Sequence, residues 1–312
     1  MAVAAVAAVA AVAAVAAGPA SGVTRVDHRA VPEGDVVLRT ARRLHSALAG
    51  RVLTISDFRW PTLATLDLRG RQVTEVTAAG KRLLIRCAGV TVHSHLRMDG
   101  SWHVYRTGAH PRRRLRDIRV ILGNEQWSAA GEHLGELDVL PTDREHELVG
   151  HLGPDIMTDD FDSAMVASTI RSQGHRAIGD VLLDQRTLAG IGTFYMCEGC
   201  FVAGINPWRP AGDVPDLQAL VDRIRLMMRA NLSRAIQSTT GDTRNGEREY
   251  VHSRSGRPCR RCGSTIRVAP LIVGSHERVA FWCPHCQPGG VHHRRRRGQE
   301  AIGIRSAPKS QQ

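Results

Sequence analysis

The stretch CRRCGSTIRVAPLIVGSHERVAFWCPHC, residues 259–286, decides how the C-terminal part of this chain is built. Cys259-Arg-Arg-Cys262 and Cys283-Pro-His-Cys286 are two C-x-x-C pairs with 20 residues between them. Each pair can sit on a tight turn with both thiolates aimed at one centre. Two such turns at the ends of a hairpin complete a tetrahedral site, the pattern of one structural Zn2+. All four ligands come from the protein, so the metal has no open position for catalysis. Its role is to fold a segment too small for its own core. Redox-active thiols would need a thioredoxin-like βαβ setting, which the surrounding pattern lacks. A third pair, Cys197-Glu-Gly-Cys200, falls in an apolar helix where i and i+3 share a face, and reads as packing. The odd total of 7 Cys in clustered pairs argues for a reducing compartment, not a disulfide framework.

Upstream of this module the apolar period changes twice. From Val36 to Leu48 the spacing is helical (Val37, Leu38, Ala41, Leu44, Leu48) and Gly50 ends it. Short strand-like runs follow over 51–55, 62–68, 72–77, 82–87, 90–94, 101–106 and 118–122, separated by turn signals. Many short strands with such breaks predict a β-sandwich. A polar linker covers 142–160. Helices are then predicted over 161–171, 177–184, 193–203 and 217–237. The fold class is thus multidomain α+β: a β-sandwich over 32–141, a helical domain over 161–246 and a zinc-bearing hairpin over 247–287.

The chain ends are of a different kind. Residues 2–17 are Ala and Val in a three-residue beat, without the positive start of a signal peptide and short for a membrane span. Residues 1–31 read as a disordered extension that the native protein lacks, and 288–312 as a disordered basic tail. Within that tail, Arg294 to Arg297 read as solvated charge, with non-specific DNA attraction as the alternative. The 312 residues carry a formal charge of +12 and a pI near 10.3. A folded chain with that excess usually meets a polyanion. Of 42 basic residues only Lys81 and Lys309 are Lys, a bias of GC-rich coding, and Lys309 lies in the tail. Lys81 is the one Lys of the folded body. Either it survives by chance, or it serves a task needing a compact ammonium, which a planar guanidinium does poorly.

Leu182-Leu-Asp-Gln185 ends one helix and Leu188-Ala-Gly-Ile-Gly-Thr-Phe-Tyr195 opens another. Gly190 and Gly192 allow close approach, and the helix N-terminus offers N–H groups to a phosphate. A plain helix–helix turn is the alternative reading. Val31-Pro-Glu-Gly-Asp35, Gly80-Lys81, Ser94-His-Leu-Arg-Met98 with Gly100, Leu152-Gly-Pro-Asp155, the turn just quoted, and Arg278-x-x-Phe-Trp-Cys283 occur in this order. In that combination, over about 32–287, the chain resembles the formamidopyrimidine-DNA glycosylase/endonuclease VIII family. The resemblance implies a β-sandwich, a helix–two-turn–helix domain and a zinc-finger hairpin, with damaged double-stranded DNA in the cleft. It implies a cytoplasmic, nucleoid-associated bacterial monomer that needs no membrane.

By the same resemblance Pro32 and Glu33 are the catalytic pair, Lys81 the sandwich lysine and Arg278 the zinc-hairpin arginine. Met98 is the wedge that fills the gap left by a flipped base, with Arg97 sharing that task. Lys81, Arg278 and the turn Gly190–Thr193 would hold phosphates. Thr193 stands where the family usually has Asn, which weakens but does not abolish phosphate binding. The region 127–131 lacks the Arg-Arg-Phe loop of the purine-specific branch and is similar to endonuclease VIII, which favours oxidised pyrimidines. Pro32-Glu33 read alone could be merely a helix start. His93 and His95 read as core-packing or hydrogen-bonding residues. Pro32 also follows Val31, so its nitrogen is an amide as written. A GTG start codon at 31, or processing of a longer precursor, would free it. The competing reading is a non-enzymatic damaged-DNA-binding protein on this fold with a blocked Pro32.

Overall fold

The computed structural model describes residues 32–109 and 115–290. The proposed extension over 1–31 and nearly all of the basic tail lie outside them. Helix α1 (Gly34–Leu48) opens the described chain, and its stripe Val37, Ala41, Leu44 and Leu48 is buried. That i, i+4, i+7, i+11 spacing turns one face to the sandwich. Burying four such side chains is worth about 1.5–3 kcal/mol for each large one.

Eight strands follow: β1 (Ile55–Phe58), β2 (Val73–Ala79), β3 (Arg82–Cys87), β4 (Val90–His95), β5 (Ser101–Arg106), β6 (Ile118–Gly123), β7 (Trp127–Glu132) and β8 (Glu136–Pro141). They form two four-stranded antiparallel sheets, β1-β6-β7-β5 and β2-β3-β4-β8. The sandwich expected from the turn signals is present, with corrections in detail. The run 51–55 is mostly a bridge, Val52 to Gln72, and the strand begins at Ile55. The run 62–68 is no strand: a 3-10 turn spans Pro61–Leu63, where proline removes a ladder donor. Strands β7 and β8 were not foreseen. The stretch WSAAGE has little β-propensity, and five of its six residues are buried, so no alternation marks it.

The short α2 (His146–Val149) leads to α3 (Ser163–Ser172), α4 (Ile178–Leu183), α5 (Thr193–Val202) and α6 (Leu217–Ala230). Helix α6 stops seven residues before the expected end at 237. Asn231 ends it: its Oδ1 accepts from Ser238 N at 3.0 Å, and its backbone oxygen accepts from Arg39 of α1 at 3.0 Å. Strands β9 (Arg267–Val273) and β10 (His276–Trp282) make the C-terminal hairpin. Its inner side, Leu271, Ala280 and Trp282, joins the core of the helical domain. The sandwich has a separate core to which α1 belongs. Leu38, on another side of α1, packs on the helical core, so α1 lies between the two. Among the described residues no helix is long and apolar enough to cross a membrane.

Candidate active site

The N-cap of helix α5 is Gly192, which has no side chain to satisfy the N–H groups of the first turn. Glu33 supplies the missing acceptor from another helix. It is the N-cap residue of α1 and makes no side-chain cap there. Its carboxylate instead accepts from Gly192 N at 2.7 Å, Phe194 N at 2.8 Å and Tyr195 N at 3.4 Å. A second bond ties the same two elements, Gly34 N to Gly190 O at 2.9 Å. Glu33 is 1% exposed. Burial pushes its carboxyl up to about 7, Asp35 adds to the rise, and Lys81 and the N–H groups of Gly192 and Phe194 oppose it. Pro32, immediately before it, is half-buried.

Lys81 arrives from the β2–β3 turn. Gly80 holds the turn with φ +57° and donates its N–H to Asp155 Oδ2 at 2.7 Å. The other oxygen, Asp155 Oδ1, accepts from Met157 N at 2.9 Å. Burial and the nearby Arg278 lower the Lys81 ammonium below the usual range, while Glu33 raises it; burial is the largest effect. Arg278 itself is exposed on β10. The structure therefore brings Pro32 and Glu33, Lys81 and Arg278, from three separate stretches, to one junction between the two cores.

The turn before α5 departs from expectation. Gly190, at φ +104°, donates to Gln185 Oε1 at 3.1 Å, and Gln185 Nε2 donates to Ile191 O at 2.9 Å. With Glu33 on Gly192, Phe194 and Tyr195, the N–H groups expected to await a phosphate at Gly190 and Gly192 already have partners inside the protein. Thr193, the first residue of α5, is half-buried. Gln185 and Asp155 set the two turns of the site. Both stood in the quoted motifs without a role, and their shared signal was a side-chain acceptor beside a Gly-bearing turn.

Met98 is 65% exposed. Arg97, its neighbour in the chain, has partners within the protein. Its backbone has φ +52°, and its side chain folds over Gly135, where an added Cβ would stand 2.4 Å from Arg97 Cγ. Its guanidinium then pairs with Glu136. His93 is buried between Asp138 (3.1 Å) and Arg82 (3.1 Å), the hydrogen-bonding role expected of it. His95 differs: its Nδ1 is buried with no partner, and burial pushes the ring down to about 4. The five residues 127–131 lie within a strand paired on both sides, and only His133–Gly135 separate β7 from β8.

The thiol sulfurs of Cys259, Cys262, Cys283 and Cys286 all lie within 4.8 Å of one another. Cys259 and Cys286 approach to 3.9 Å and Cys262 and Cys283 to 3.4 Å. Zn–S bonds of about 2.3 Å in a tetrahedron put sulfurs about 3.8 Å apart. A disulfide needs about 2.05 Å. The four residues fit a metal ion. Cys197 and Cys200 are buried core residues, as expected.

A polar junction of this kind, between a sandwich with its own leading helix and a helical domain with a four-cysteine hairpin, defines a two-lobed fold with its chemistry at the seam. The profile of the formamidopyrimidine-DNA glycosylase N-terminal domain matches residues 31–134, and that of its H2TH domain matches 152–244. A probable endonuclease 8 of Streptomyces coelicolor is 49% identical over 269 residues, covering 83% of this chain and 95% of its own length. A DNA-(apurinic or apyrimidinic site) lyase of Mycolicibacterium smegmatis is 42% identical, covering 82% of this chain and 99% of its own length. A Lactococcus lactis Fpg crystallised with abasic-site DNA shares the fold at a TM-score of 0.67 and 22% identity, over 82% of this chain and all of that one. The chain belongs to the formamidopyrimidine-DNA glycosylase/endonuclease VIII family.

Proposed function

We propose that this protein is a base-excision DNA glycosylase and abasic-site lyase that acts as a monomer on damaged double-stranded DNA. The observation that carries this reading is the pairing of half-buried Pro32 with a sealed Glu33 whose carboxyl is raised to about 7. The target base must leave the stack, at a cost of a few kcal/mol, and Met98 fills the gap. A free Pro32 is a secondary amine. An α-amino group has a reference pKa of about 7.7–8.0, so part of it is neutral at pH 7. Its nitrogen attacks the anomeric carbon of the damaged nucleotide, and the glycosidic bond breaks as the base departs. Glu33 gives its proton to the sugar ring oxygen, which opens the ring and leaves an iminium on Pro32. The iminium acts as electron sink for loss of the 3′ and then the 5′ phosphate by β and δ elimination. Water releases the residue and restores the amine.

Lys81 and Arg278 hold the flanking phosphates, with the Thr193 side chain as a further hydroxyl donor. Oxidised pyrimidines are the favoured lesions. The three-residue link between β7 and β8 leaves no long loop there to read a purine. The metal of the four-cysteine site is zinc, which supplies no reacting atom and fixes the hairpin that carries Arg278. The protein acts in the cytoplasm, at the nucleoid.

Borohydride reduction with abasic-site DNA tests the reading. An adduct is expected, and intact-mass and peptide analysis should place it on Pro32. Salt-sensitive binding without any adduct would favour a non-enzymatic DNA-binding protein, the reading suggested by Val31 preceding Pro32 in the chain.

A further inference from the structure

The first turn of α1 carries a second buried carboxylate to which the chemistry above gives no task. Asp35 has no exposed surface and lies two residues beyond Glu33. Its Oδ2 accepts from the Tyr195 hydroxyl at 2.8 Å, and its two oxygens accept from Gln237 Nε2 at 3.0 and 3.1 Å. The Tyr195 oxygen accepts in turn from Asn231 Nδ2 at 2.8 Å. That amide cannot be reversed, because Asn231 Oδ1 is held by Ser238 N at 3.0 Å. The hydroxyl proton of Tyr195 therefore points at Asp35. Each of these side-chain partners of Asp35 donates, so a protonated Asp35 would bury a donor with nothing to receive it. Burial pushes the Asp35 carboxyl above its ordinary value, and the donors of Tyr195 and Gln237, the Val36 N–H and Arg39 oppose that rise and suit the charged form.

Tyr195 joins the two carboxylates. Its backbone N–H donates to Glu33 and its hydroxyl to Asp35. Lys81 is the cation beside Glu33, with Arg278 behind it and Arg39 on the Asp35 side of α1. The Tyr195 phenol and the Cys197 thiol also face this site, and burial pushes both up, so they stay neutral. When two carboxylates share a sealed site, one takes the proton, and the environment decides which. Lys81 and the N–H groups of Gly192, Phe194 and Tyr195 favour a charged Glu33, while Arg39 and the donor set of Tyr195 and Gln237 favour a charged Asp35; burial weighs on both, and lifts Glu33 to about 7. Glu33 is the one to which the proposed function gives the proton for the sugar.

We infer that Asp35 is a positioning residue for base excision: a carboxylate locked by Tyr195 and Gln237 that keeps Glu33 in its acid form. This rests on Glu33 as the proton donor of the proposed function. The test is single-turnover excision of an oxidised pyrimidine from duplex DNA between about pH 5 and 9. Borohydride trapping on ready-made abasic DNA runs in parallel, using protein with its native N-terminus. An abasic sugar has already lost its base, so trapping reads the Pro32 amine without the Glu33 proton. In Asp35→Asn the alkaline limb of excision should move down by about one pH unit, about tenfold at alkaline pH, while trapping falls far less. Tyr195→Phe removes one donor from Asp35 and should move the limb the same way by less. It also serves if Asp35→Asn does not fold. An unmoved limb overturns the inference, as does an equal loss of excision and trapping at every pH. Full excision by Glu33→Gln is a different failure, that of the underlying reading of Glu33.

Discussion

A Cβ added at Gly192 would stand 2.4 Å from Glu33 Oε1 and 2.8 Å from Lys81 Nζ, closer than real contacts allow. Gly192 is not in a left-handed conformation, so the constraint is space alone. Gly192→Ala should therefore displace the carboxylate or the ammonium and lower excision by about a hundredfold, the scale of an ångström-sized misplacement. Single-turnover rates on matched DNA check this, and unchanged turnover would show that the contact is not needed. Lys81→Arg keeps the charge but replaces a compact head by a broad plane in a filled site. It should cost more in turnover than in DNA affinity, which a paired rate and binding measurement separates. The sign of the pH response follows from Glu33. Its carboxyl is raised to about 7, so the acid form is present below that pH and proton donation is lost as pH rises through it. Excision should fall above about pH 7 in the wild type, and a flat profile to alkaline pH would remove Glu33 as the donor. Lys81 was legible in the sequence because codon bias isolates it. The cross-helix cap was not. Nothing in Pro-Glu-Gly-Asp tells that Glu33 serves the N-terminus of α5, more than 150 residues away.

The C-terminal hairpin shows how far pattern alone carries at the level of an element. Two C-x-x-C pairs fixed its ends, and the structure brings all four sulfurs within 4.8 Å. Between them β9 and β10 pair from Arg267 to Trp282, which sets Arg278 opposite Leu271. One metal per chain is expected by elemental analysis. Cys262→Ser or Cys286→Ser should release it, loosen the hairpin and weaken DNA binding through Arg278, while Glu33 keeps its contacts with α5. Soluble, active protein without metal would refute the assignment. The strands were legible where turns bound them, as at β3 and β5, whose limits match expectation. They failed where burial removes the period-two signal, as in β7. Helix α6 was overextended because the apolar rhythm runs on past Asn231, and only the tertiary bonds to Arg39 and Ser238 end it.

Taken whole, the molecule places the residues of the proposed chemistry where both cores meet α1, and that placement bears on the first residue. Pro32 is half-buried beside the sealed Glu33, and Gly34 is pressed to 2.9 Å against the α5 turn through its backbone. In a chain continuing upstream, the amide nitrogen at Pro32 is planar, with the lone pair delocalised into the Val31 carbonyl, and cannot attack a sugar. The family profile begins at residue 31, immediately before the Pro-Glu pair. Two forms of the protein should thus differ in kind and not in degree. The form whose first residue is Pro32 should give a borohydride adduct and cut abasic DNA. The form that retains residues 1–31 should give no adduct, yet bind DNA with a steep salt dependence, because the phosphate contacts proposed for Lys81 and Arg278 do not require the amine. N-terminal sequencing of native protein should then read Pro-Glu-Gly-Asp. An active form beginning at Met1, trapped through any other residue, would overturn both the start and the role of Pro32.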